Sequence, residues 1–121
     1  MTAQMEFAEA TVSLPVRRVE EARKWYERLL GKPPELEPVP GIVEFNVGGT
    51  WLQLEEGAPG ATRFVFRIGV RNLEQERSRL VGMGIPVEET VTIPNVIRFC
   101  DFKDIDGNPL SLYELLAAPT P

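Results

Sequence analysis

The strongest constraint on this chain is that it says one thing twice. Val12-Ser-Leu-Pro-Val16-Arg17-Arg-Val19-Glu20-Glu-Ala-Arg23 runs on to Leu30-Gly31, and Phe66-Arg-Ile-Gly-Val70-Arg71-Asn-Leu73-Glu74-Gln-Glu-Arg77 runs on to Met83-Gly84. Val16, Arg17, Val19, Glu20 and Arg23 fall on Val70, Arg71, Leu73, Glu74 and Arg77 at one constant offset, and the closing glycines slip by a single residue. Such repetition marks two copies of one supersecondary unit. At 121 residues the chain has room for both copies in one domain, but not for two independent domains and a linker. Gly57-Ala-Pro-Gly60 has the composition of a short joint between them.

Each copy reads as a strand, a helix and three more strands. The opening strands are expected over Ala10 to Val16 and Arg63 to Val70, the helices over about Val19 to Leu30 and Leu73 to Met83. Val19, Ala22, Tyr26, Leu29 and Leu30 form an apolar stripe at helical spacing, and Leu73, Leu80 and Met83 form a thinner one. Asn72 suits an N-cap, while Gly31 and Gly84, each with a proline within two residues, suit helix stops. Ile42 to Val47 and Thr50 to Glu55 flank Gly48-Gly49, the composition of a tight hairpin, with a weaker strand at Leu36 to Val39. In the second copy Val87 to Ile93 and Val96 to Lys103 flank Pro94-Asn95, and Asp106-Gly107-Asn108 turns the chain into Leu110 to Leu116. The order β-α-β-β-β, twice, with helices on one face of antiparallel sheets, predicts an α+β fold.

Composition removes whole classes of function. There is no histidine, which excludes Ser-His-Asp and Cys-His nucleophilic mechanisms, histidine acid–base catalysis and the commonest transition-metal ligand. The net charge is −5 and no basic run exceeds Arg17-Arg18, so the basic face of a nucleic-acid binder is missing. Cys100 stands alone and cannot form an intramolecular disulfide, which points to a reducing cytoplasm. No apolar stretch is long enough to span a bilayer, so no membrane is expected.

Three segments resemble one family. Leu14-Pro-Val16-Arg-Arg-Val19-Glu-Glu-Ala22-Arg-Lys-Trp25-Tyr26-Glu-Arg-Leu-Leu30-Gly31 resembles the opening strand and helix of the vicinal oxygen chelate superfamily, which holds glyoxalases, bleomycin-resistance proteins and dioxygenases. Phe102-Lys-Asp104-Ile-Asp106-Gly107-Asn108-Pro-Leu110-Ser-Leu112-Tyr-Glu114 resembles its closing turn and last strand, with Ile105 in place of the usual proline. Phe66 to Gly84 is similar to the second module's strand and helix. The resemblance implies one domain of two tandem βαβββ modules, about residues 8 to 56 and 62 to 116. Together the modules would form a cupped, mostly antiparallel sheet with helices outside, commonly in a homodimer.

Metal-dependent members carry His and Glu ligands on the opening and closing strands. Carried over, those positions fall near Thr11, Gln53, Val65 and Ser111, which offer no carboxylate, imidazole or thiolate. A divalent ion needs strong donors to replace its hydration shell, so no metal and no cofactor is expected. Glu55 and Glu114 are the nearest carboxylates.

Strand alternation sorts the rest. Phe64, Phe66, Ile68, Val70, Leu52, Leu54, Leu110 and Leu112 are expected to face the helices. Inward would lie Thr11 and Ser13, Trp51, Gln53 and Glu55, Val65, Arg67 and Gly69, and Ser111 and Tyr113, with Arg98 and Cys100 placed there on the family pattern. The expected ligand-binding set is Thr11, Trp51, Gln53, Glu55, Arg67, Arg98, Ser111 and Tyr113: aromatic walls with a few directed polar groups. Against this stands a plainer possibility, in which Arg67 or Arg98 only pairs with Glu44 or Glu55 across a wet sheet face. Cys100 reads as a small buried hydrophobe, Trp25 as packing or a dimer contact, and Asp104, Asp106 and Asn108 as a hairpin turn rather than a calcium loop.

The reading that follows is a metal-independent small-molecule-binding protein, with the ligand unnamed. Two alternatives stay open. One is a lyase or isomerase with atypical ligands drawn from Glu55 or Glu114, and the other a degenerate, non-catalytic dimerising module. The acidic surface favours a cationic ligand and two inward arginines an anionic one.

Overall fold

The computed structural model describes residues 6–59 and 64–116. It divides into two compact units, 1–58 and 59–121. In the first, β1 (Ala10–Val16), α1 (Val19–Leu30), β2 (Leu36–Val39), β3 (Ile42–Val47) and β4 (Thr50–Glu56) follow in order. In the second, β5 (Phe66–Gly69), α2 (Leu73–Gly82), β6 (Val91–Ile93), β7 (Ile97–Lys103) and β8 (Pro109–Leu115) repeat that order. The helices begin at Val19 and Leu73, two residues that the sequence offset superimposes.

Each unit builds one four-stranded sheet, ordered β1-β4-β3-β2 and β5-β8-β7-β6. The last strand of a unit lies parallel to its first and antiparallel to its third. Gly48 and Gly49 both take positive φ, 59° and 95°, which is what a two-residue primed turn demands and what glycine supplies without steric cost.

The first unit's core forms where α1 meets its sheet. Val19, Ala22, Tyr26 and Leu29 bury one helix stripe over Val43, Phe45, Leu52 and Leu54, all nearly inaccessible. The Tyr26 and Phe45 rings lie 6.3 Å apart. Trp25 stands edge-on to Tyr26 at 5.0 Å and stays partly exposed. Gly31 ends the helix in the left-handed region, φ 75°, with its N–H bonded to Glu27 O at 2.8 Å. On the outer side Arg23 pairs with Glu20 and with Glu27.

The second helix is held more by caps than by its apolar face, since Leu73 and Leu80 are its buried residues. Asn72 Oδ1 accepts from Gln75 N at 3.1 Å. Glu114 Oε1, reaching from β8, accepts from Leu73 N at 2.7 Å. Two N–H groups that a helix start leaves unbonded are thereby satisfied.

Several expectations about the second unit change. The opening strand is shorter than expected: Arg63 lies outside the described residues, and Phe64, expected in the core, is 76% exposed. The strand expected from Val87 shrinks to Val91–Ile93, with only an isolated bridge from Val87 to Phe102. Arg98 and Cys100 change faces. On β7, Cys100 pairs with Leu112, Phe102 with Leu110 and Arg98 with Glu114. Directly paired residues share a face, so all three point with Leu110 and Leu112 toward α2. Cys100 is completely buried there.

Candidate functional site

Each sheet has a second face that carries no helix, and seven of the eight expected binding residues lie on these two faces. In the first unit Thr11 pairs with Trp51, Ser13 with Gln53 and Pro15 with Glu55, while Glu44 and Asn46 on β3 pair with Gln53 and Trp51. Trp51 donates its indole N–H to Glu9 Oε2 at 2.9 Å, which fixes the ring's orientation. Ser13 Oγ donates to Glu55 Oε1 at 2.8 Å.

In the second unit Arg67, Ser111 and Asp101 form one row across β5, β8 and β7, and Gly69, Tyr113 and Phe99 form the next. Arg67 Nη1 donates to Ser111 Oγ at 3.4 Å, and its Cζ stands 5.9 Å from the Phe99 ring centroid, a cation–π distance. Ser111 is fully buried and donates its own hydroxyl proton to Cys100 O at 3.3 Å. Tyr113 lies against Gly69, where an added Cβ would come within 2.9 Å of its ring. A depression of about 520 Å³ opens beside it, lined by Gly69, Val70, Arg71, Tyr113, Glu114 and Leu115.

Arg98 is the eighth residue, and the register removes it from this face. The anion-binding side of the sequence reading thereby loses one of its two guanidinium groups. Sequence reasoning also missed two residues that the same register brings in, Phe99 and Asp101. Asp101 Oδ1 is closed to solvent and has no hydrogen-bond partner among the described residues. Among those residues Arg67 and Arg98 make no ion pair with Glu44 or Glu55, the plainer role considered for them.

The positions where the resemblance would seat a metal ion do not fit one. Thr11 and Gln53 bring a hydroxyl and an amide, and Val65 lies outside β5 with an aliphatic side chain. Ser111 is worse than neutral for a cation, because the Arg67 guanidinium is directed at the very oxygen that would have to ligate. Glu114 cannot substitute, since it faces α2 and caps it. Among the described residues no three His, Cys, Asp or Glu side chains converge. The Asp104 turn is not a cation loop either: Asp104 Oδ1 accepts from Asp106 N and Asn108 N, and Oδ2 from Asn108 Nδ2, all at 2.8 Å.

Burial raises the Cys100 thiol above its ordinary 9.0, against the nearby positive charge of Arg77. A neutral thiol pressed between apolar residues is no nucleophile. No helix among the described residues is long and apolar enough to cross a membrane.

No family model matches the sequence, and no curated protein sequence does. Solved structures do match in fold. TnmS3, an antibiotic binding protein from Streptomyces sp. CB03234, superposes with a TM-score of 0.79 at 22% identity, over 93% of this chain and 99% of its own. A lactoylglutathione lyase from Agrobacterium tumefaciens gives 0.76 at 18% identity, over 92% and 96%. A glyoxalase/bleomycin resistance protein from Catenulispora acidiphila gives 0.69 at 24%, over 89% and 96%. With two mixed four-stranded sheets, two helices and these likenesses, the chain has the glyoxalase/bleomycin-resistance fold.

Proposed function

We propose that this protein binds a small organic molecule against a helix-free sheet face, and does so without a metal ion or a covalent step. The observation that carries the reading is the Arg67–Ser111 contact. Where a metal-dependent member would hold a ligand atom, this chain holds a hydroxyl under a guanidinium. Each such face keeps what a pocket for organic ligands needs, an oriented aromatic ring with a few directed polar groups. Trp51 is fixed by Glu9, with Thr11, Gln53 and Glu55 on its face. Tyr113 is seated on Gly69, with Arg67 and Ser111 on its own. The likeness to an antibiotic-binding protein supports the same reading.

The proposal extends to a homodimer acting in the cytoplasm, with the two modules serving as one domain. Support comes from the family resemblance, from the single buried thiol, and from exposed apolar side chains such as Phe64, Ile93 and Leu115. Sedimentation analysis reads the oligomeric state directly.

The binding test is a thermal-shift and tryptophan-fluorescence titration with planar aromatic antibiotics. Binding is expected to raise Tm and quench Trp51, to be lost in Trp51→Ala, and to persist in Arg98→Met. If no compound shifts Tm, or if Arg98→Met abolishes binding as fully as Trp51→Ala, the assignment of these faces is wrong. Elemental analysis of the purified protein tests the second half. Zinc, nickel, manganese or iron at one equivalent would overturn metal independence and restore the lyase alternative with Glu55 as a candidate ligand.

A further inference from the structure

The depression of about 520 Å³ where β5 and β8 end is lined by one positive and one negative side chain, Arg71 and Glu114. No ion pair joins them. Arg71 is exposed, and its guanidinium has no hydrogen bond or ion pair among the described residues. Glu114 is held in place, because its Oε1 accepts from Leu73 N at 2.7 Å. Its Oε2 has no partner among those residues. Tyr113 completes the set. The phenol lies across Gly69, its hydroxyl oxygen 3.0 Å from where a Cβ would stand, and that hydroxyl is likewise unbonded among the described residues. Around these groups Val70, Leu115 and the Tyr113 ring supply apolar surface.

The first unit shows that the shared framework does not require this arrangement. Pro15 takes the place of Gly69 and pairs with Glu55, as Gly69 pairs with Tyr113. One residue further on, Glu56 stands where Glu114 does, but it is exposed, and no side chain caps the start of α1. The flat phenol and the anchored carboxylate belong to the second copy alone.

Charge decides what such a cavity can take. A bare carboxylate is drawn to Arg71 and the Tyr113 hydroxyl but repelled by Glu114. An amine meets the reverse. A group that carries both charges on one carbon satisfies both at once. Charges open to water gain little from a single pairing, so selectivity comes from meeting the two together while an apolar side chain covers the ring. The cavity's volume lies within the range of small-ligand pockets.

We propose that this depression binds an α-amino acid with an apolar side chain. Its carboxylate sits on Arg71 and the Tyr113 hydroxyl, its ammonium on Glu114 Oε2, and its side chain against the Tyr113 ring and Leu115. The site goes beyond the reading above, whose test runs through Trp51, and uses residues of the second unit only.

Four probes of one shape separate the cases: L-phenylalanine, 3-phenylpropionate, 2-phenylethylamine and neutral 2-phenylethanol, titrated by NMR into the isotope-labelled full chain. L-Phenylalanine is expected to shift the resonances of Gly69 to Leu73 and Tyr113 to Leu115. It should bind about tenfold more tightly than either singly charged probe, the factor for one hydrogen bond to a charged group. Two variants should divide that preference. Arg71→Gln should remove the advantage over 2-phenylethylamine, and Glu114→Gln, which keeps an acceptor for Leu73 N, the advantage over 3-phenylpropionate. A merely structural role would weaken all four probes alike, and that result would overturn the proposal. So would equal binding of L-phenylalanine and 2-phenylethanol, or no shift at these residues. In each of those cases the antibiotic titration at Trp51 still decides the small-molecule reading by itself.

Discussion

Tyr113 rests on Gly69 so closely that a β-carbon at residue 69 would stand 2.9 Å from its ring Cζ and 3.0 Å from its hydroxyl oxygen. The two residues are paired across β5 and β8, and only a residue without a side chain lets the phenol lie flat there. Gly69→Ala is expected to destabilise by about 1–3 kcal/mol, the usual cost of overpacking. In a Tyr113→Ala background the same change should cost far less. A double-mutant cycle by urea denaturation reads the difference; equal costs in both backgrounds would show that the ring does not depend on the glycine.

Glu114 fixes the start of α2 by accepting from Leu73 N at 2.7 Å. Glu114→Ala leaves that N–H without its acceptor and should cost about 0.5–2 kcal/mol, the range for a lost helix cap. Glu114→Gln retains an acceptor and should cost less. Hydrogen exchange localises the effect: Leu73 and the first turn of α2 are expected to lose protection, with α1 unaffected.

The Asp104 carboxylate takes three hydrogen bonds inside one turn, from Asp106 N, Asn108 N and Asn108 Nδ2. Asp104 and Asn108 are both buried, so water replaces the lost partners poorly. Asp104→Ala should destabilise by roughly 2–4 kcal/mol, more than one hydrogen bond's worth, because several donors are left unmet at once. Added calcium should not move the wild-type Tm. A calcium-dependent rise would contradict the reading of this segment as a self-satisfied turn.

Cys100 gives a pH signature. Burial raises its thiol above the ordinary 9.0, with Arg77 opposing. The folded state therefore holds the proton more tightly than the unfolded chain does. That contribution to stability is fully present below 9.0 and is lost as pH climbs from there through the folded value. Urea midpoints should show a steeper alkaline decline in the wild type than in Cys100→Ala, although the alanine variant is less stable at neutral pH. Thiol reagents should label Cys100 only after unfolding; rapid labelling of the native protein would refute its burial.

Most of the element boundaries can be read from the residues because local chemistry sets them. Val19–Leu30 carries an unbroken apolar stripe and ends on a left-handed glycine, and Gly48-Gly49 admits little besides a primed turn. The register of β7 could not be read in this way. In Ile97-Arg98-Phe99-Cys100-Asp101-Phe102 both parities hold apolar residues and both hold a charge, so alternation does not choose between the two faces. The partner strand decides, with Leu112 opposite Cys100 and Tyr113 opposite Phe99. That one ambiguity accounts for Arg98 being placed with the binding residues and for Asp101 being overlooked. Phe64 failed differently: an apolar residue next to a strand is not bound to join it, and here the strand begins two residues later.

The sheet order has a consequence for how the chain is made. In each unit the strand that comes last in sequence, β4 or β8, is an interior strand, flanked by the unit's first strand and its third. On a ribosome, neither β1 nor the β2–β3 hairpin can complete its ladder until Thr50–Glu56 has emerged, and the second unit waits in the same way for Pro109–Leu115. Until then β1 lacks its partner and presents bare hydrogen-bonding groups to the cell. The first unit can then close while the second is still being translated. Nascent chains stalled just before and just after β4 should differ sharply in protease resistance.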